Sequence, residues 1–114
     1  MLLVVSERKR QLSELLVSHY RSSGWKVEQA VDGTVRAAGP GSVTWIGLAV
    51  AAEDLADEAF ADRLRTLGEE RMPAGERCPL ELLPAEECAP QLRSLLAELR
   101  LDDAGHVEVY SLVA

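Results

Sequence analysis

The chain is poor in the residues that most often carry chemistry: in 114 residues it has two cysteines, two histidines and five aromatic side chains. Cys78 and Cys88 are too few to define a disulfide framework and too far apart for a CxxC redox or zinc pattern, so reduced thiols are expected. His19 and His106 are the other soft metal ligands, and no two of the four lie within the short interval that structural sites use. Neither a metal nor a cofactor is expected. Long apolar runs are missing as well. The longest, Trp45 to Ala52, covers about eight residues with Gly47 inside it, where a spanning helix needs ~20. A membrane span is excluded. Met1 to Val5 is apolar with no basic residue before it, and the charged cluster Glu7 to Arg10 follows at once, which reverses the order of a secretory signal. A cytoplasmic location is the expectation.

Lysine is scarce too, at positions 9 and 26 only, against ten arginines, a bias of GC-rich coding that points to a bacterial chain. The net charge is −7 and unevenly spread. Residues 1–50 carry six basic and four acidic side chains, a balance of +2, whereas residues 51–114 carry six basic and fifteen acidic ones, a balance of −9. Such a surface repels nucleic acid at long range and suits a basic protein partner.

What is present is the composition of a single globular domain over residues 1–114, 47% hydrophobic and 27% charged. Met1 to Val5 reads as a strand buried on both faces. Ser6 can cap a helix whose apolar stripe is Leu12, Leu15, Leu16, His19 and Tyr20, ending near Gly24. From Trp25 the period shortens to two, and Asp32-Gly33 is a two-residue hairpin signal between Val31 and Thr34. Thr34 to Ala38 returns, Gly39-Pro40-Gly41-Ser42 turns, and Val43 to Val50 runs back with both faces apolar, the mark of a central strand. Glu53 and Asp54 open a second helix with the stripe Leu55, Ala59, Phe60, Leu64 and Leu67. A charged loop from Glu69 to Arg77 precedes a short strand, Leu80 to Leu83. A third helix starting near Pro90 carries Leu92, Leu95, Leu96 and Leu99, and His106 to Val113 closes the chain as a strand. The predicted order is β-α-β-β-β-α-β-α-β. The expected fold is α/β or α+β, a single mixed sheet of five to six strands containing an antiparallel meander and flanked by three helices.

The order helix, three-stranded meander, helix, strand from Glu7 to Leu83 is also that of the restriction-endonuclease-like core. The likeness is one of element order alone. Cleavage on that core takes an Asp at the start of one strand and Glu/Gln-x-Lys on the next, to hold Mg²⁺ and position water. Asp32 falls in a tight turn, and Val43 to Val50 holds neither carboxylate nor lysine, so this nuclease chemistry is missing. A GxSxG elbow, a phosphate loop and GxGxxG are also absent. The cysteines read as small apolar packing residues.

Two groups of residues invite binding. On a continuous second helix Asp54, Glu58 and Asp62 lie at i,i+4 spacing, where like charges repel; with Asp57 they form either a solvated face or an acidic docking surface. Arg71 and Arg77 bracket the Pro-Gly loop, to pair with Glu69, Glu70 or Glu76 or to grip an external carboxylate or phosphate. Trp25 and Trp45 read as core, with a ligand-stacking role for Trp45 if it proves exposed. The leading expectation is therefore a non-catalytic interaction module, an accessory, inhibitor or immunity-type factor that meets a protein partner through its acidic second half, with a homodimer as a further option. The alternative is a small-molecule-binding protein or small enzyme, its pocket between the meander and the 69–77 loop and lined by Tyr20, Arg36, Trp45, Arg71 and His106.

Overall fold

The elements follow from how each segment disposes of its apolar side chains, and a computed structural model describes residues 6–30 and 33–111. The strand expected over Met1 to Val5 lies outside the described residues. Helix α1 (Glu7–Ser22) starts where Ser6, in extended conformation, accepts the Lys9 amide on its hydroxyl. Strands β1 (Lys26–Gln29), β2 (Thr34–Ala38) and β3 (Thr44–Val50) form the antiparallel meander. Helices α2 (Ala52–Ala56) and α3 (Phe60–Glu69) lead to β4 (Leu80–Pro84), which is followed by α4 (Ala89–Glu98) and β5 (Val107–Val109). One mixed sheet results, in the order β1-β2-β3-β4-β5, with β3–β4 and β4–β5 parallel. β3 is its central strand, as its two apolar faces predict.

The sheet separates two cores. Ile46, Leu48 and Val50 of β3 and Leu80 and Leu82 of β4 face Phe60, Leu64 and Leu67 of α3 and Leu92 and Leu96 of α4. On the opposite face Val35, Ala37, Ala49 and Leu83 meet Leu12, Leu16 and Tyr20 of α1. The alternation of each strand thus feeds two layers of helix. Cys78 and Cys88 are free, buried thiols, one in each core, with burial as the main force pushing both pKa values up.

Four expectations are corrected. The pairing Gln29↔Val35 is continued by a hydrogen bond from the Ala30 amide to the Thr34 carbonyl, so Thr34 is met by Ala30 and not by Val31 as a two-residue turn would require. Gly33, at φ +91°, supplies the left-handed conformation that this longer turn needs; Val31 and Asp32 lie outside the described residues. The second helix is two pieces, because extended Asp57 turns its carboxylate onto the Ala59 amide at 2.9 Å and restarts the chain at Phe60. The α1 stripe is rotated: Lys9 and Ser13 are buried, while His19 is exposed. The last strand is confined to Val107–Val109 within the described residues.

Candidate functional site

A carboxylate stands in the middle of the most buried strand. β4 is buried along its whole length, and Glu81, only 2% exposed, points to the α1 side, in register with Gly47 of β3 and Glu108 of β5. The Tyr20 hydroxyl, reaching down from α1, donates to Glu81 Oε1 at 2.6 Å. It can do so because the opposing strand residue is a glycine: a Cβ on Gly47 would lie 2.8 Å from the Tyr20 hydroxyl oxygen. Burial and the neighbouring carboxylate hold the Tyr20 phenol above its ordinary pKa, so it stays a donor.

Glu81 opens onto a cleft of about 320 Å³ lined by Trp45, Pro79, Glu81, Gly105, His106 and Glu108. Burial pushes its pKa up from 4.5 to about 7; the Tyr20 hydrogen bond opposes this and the Glu108 charge adds to it. No basic group acts on Glu81 among the described residues. A carboxylate kept at that cost beside a cleft is the pattern of functional sites. Trp45 is half-buried, packed edge-on against Trp25 with ring centroids 5.1 Å apart. His106 lies 2.8 Å from the Gly68 carbonyl through Nε2, and a carbonyl only accepts, so Nε2 carries a proton and donates it there.

Comparison with protein-family models, with curated proteins and with solved structures finds no match. Geometry alone therefore ranks the sites. Asp54 does not belong to an exposed acidic face: it is 8% exposed and bound to Lys9, itself 4% exposed, at 2.5 Å, while its other oxygen accepts the Ala51 amide. The break at Asp57 also removes the i,i+4 series through Asp54, Glu58 and Asp62. Asp57, Glu58 and Asp62 are exposed, Asp62 in an ion pair with Arg65. Arg71 and Arg77 face each other across a small hairpin, where Arg71 donates to the Gly75 carbonyl at 2.7 Å; the pair with Glu70 is made by Arg36 instead. That pair and Met72, whose sulfur accepts the Thr44 amide, tie the hairpin to the meander. Of the five residues expected around a pocket there, Trp45 and His106 line the Glu81 cleft, Tyr20 bonds its carboxylate, and Arg36 and Arg71 are elsewhere.

Glu81 was missed, although a lone acid inside an apolar run between two prolines is itself a signal. Its raised pKa has a consequence for stability. The folded protein keeps a proton that the unfolded chain has already lost, so stability falls as pH rises between about 4.5 and 7 and is level in this respect above that. Glu81→Gln, which retains an acceptor for Tyr20, is expected to abolish this slope and to be more stable than the wild type at alkaline pH by roughly 2 kcal/mol. Urea melts across that range check it; a parallel pH profile in the two proteins would refute it.

Proposed function

We propose that the protein is a small-molecule-binding module whose site is the cleft at Glu81, formed where the meander meets the start of β5 rather than beside the 69–77 hairpin. The supporting observation is the buried, uncompensated Glu81 carboxylate opening onto that cleft next to Trp45. A thermal-shift screen of charged and neutral small molecules, run on wild type and on Glu108→Gln, tests the reading. A ligand that raises the melting temperature of the wild type and acts less on the variant supports it. Ligands that ignore the substitution, or the absence of any ligand, overturn it.

A second reading keeps the acidic second half as a docking surface for a basic protein, with or without a homodimer. Asp57 and Glu58 favour it, being exposed and free of ion pairs among the described residues. Its test is capture of a specific protein by the wild type that is lost when Asp57, Glu58 and Asp62 are neutralised together. Equal capture by both proteins removes this reading.

A further inference from the structure

Two carboxylic acids line the Glu81 cleft, and neither lysine nor arginine does. Glu81 and Glu108 occupy matched positions on neighbouring parallel strands, which places two carboxylates on the same side of the sheet one strand spacing apart, ~4.8 Å between backbones. Like charges in such a pair destabilise the sheet unless something between them is positive. The Tyr20 hydroxyl occupies Glu81 Oε1; among the described residues Oε2 takes no hydrogen bond. No fully buried side-chain oxygen or nitrogen among the described residues lacks a partner, so Oε2 is the oxygen that reaches the cleft. His106, also in the lining, commits its Nε2 proton to the Gly68 carbonyl. Trp45, Pro79 and Gly105 supply apolar wall. Two of the side chains lining the cleft are thus carboxylic acids, and no lysine or arginine lines it.

We propose that this cleft binds a small organic cation, its ammonium or guanidinium group held between the Glu81 and Glu108 carboxylates and its hydrocarbon part against Trp45 and Pro79. The assignment rests on the cleft being the binding site. It follows from complementarity: once Glu81 is ionised an anion would meet two like charges, with no lysine or arginine in the lining to offset them. A cation with several N–H groups offsets both carboxylates and satisfies Oε2, and an indole wall favours it further.

The titratable groups facing Glu81 are Tyr20 from α1, Glu108 from β5 and His106 at the start of β5, while β3 presents Gly47 there. Binding is therefore expected to strengthen as Glu81 ionises. The probes are butylguanidinium, butylammonium and the neutral isostere butylurea, followed by calorimetry and by the fluorescence of Trp45. The expected result is that both cations bind with a Kd of order 1 mM or tighter and butylurea does not. Affinity should rise roughly tenfold from about pH 5.5 to about pH 8 in the wild type, and this rise should vanish in Glu81→Gln. Glu108→Gln, an exposed change that spares the fold, should weaken the cations about tenfold. Butylurea binding as tightly as the cations, or cation binding unaffected by either substitution, overturns the proposal. If neither cation binds but the thermal-shift screen finds a neutral or anionic ligand sensitive to Glu108→Gln, the cation assignment falls and the cleft reading stands. If nothing binds in either experiment, both fall.

Discussion

Lys9→Met is expected to cost about 3 to 5 kcal/mol of folding stability, a large share of the 5 to 15 kcal/mol typical of a domain. Lys9 and Asp54 are both nearly inaccessible and meet at 2.5 Å, 45 residues apart in sequence. Asp54 also accepts the Ala51 amide at 2.8 Å, so its charge holds the first turn of α2 together. Removing the lysine leaves that carboxylate buried with no counter-charge, while methionine fills most of the vacated volume. The loss would therefore be electrostatic rather than a cavity effect. The double variant Lys9→Met with Asp54→Leu should recover most of the stability, because two apolar side chains of similar size avoid the desolvation of both ions. Denaturant titrations of the three variants decide the matter. A single variant that loses less than ~1 kcal/mol would mean that water screens the pair as it does a surface bridge.

That pair also marks where sequence reading reached its limit. Local signals were legible: the Ser6 cap, the helical leucines of α4, the change of period at Trp25 and the two-faced pattern of β3 each rest on neighbours within a few residues. Asp57 was visible as an acid but not as a helix break, because its side chain competes for the Ala59 amide only once the chain bends there. Partners distant in sequence left no trace. The stripe of α1 was right at Leu12, Leu16 and Tyr20 but did not include Lys9, and nothing near Lys9 announces Asp54. The candidate site depends on the same kind of relation, since Tyr20 and Glu81 are 61 residues apart and meet only through the order of the sheet. Gly47 inside β3 and Glu81 inside β4 were each readable as exceptions to their strands. Their being opposite one another was not, because that follows from the parallel register of β3 and β4.

Gly47→Ala is the sharpest probe of that arrangement and is expected to cost roughly 2 to 4 kcal/mol. The new methyl carbon would stand 2.8 Å from the Tyr20 hydroxyl oxygen and 3.0 Å from its Cε2. Tyr20 has little room to yield. It is 3% exposed, its ring is stacked with Trp25 at a centroid distance of 6.5 Å, and Leu12 and Leu16 share its core. If the ring swings aside, Glu81 loses its only donor among the described residues while remaining buried; if the backbone moves instead, the pairing of β3 with β2 and β4 is strained. Tyr20→Phe separates the two costs. By itself it removes the hydroxyl at about 1 to 2 kcal/mol and leaves Glu81 harder to ionise, extending the pH range over which stability declines. Combined with Gly47→Ala it also removes the oxygen that the methyl group would strike. The double variant should therefore be more stable than the sum of the single losses predicts, by about 1 kcal/mol. Strict additivity in the melts would show that Gly47 does not serve to bring Tyr20 to Glu81, and the carboxylate would then need another reason for its place in the sheet.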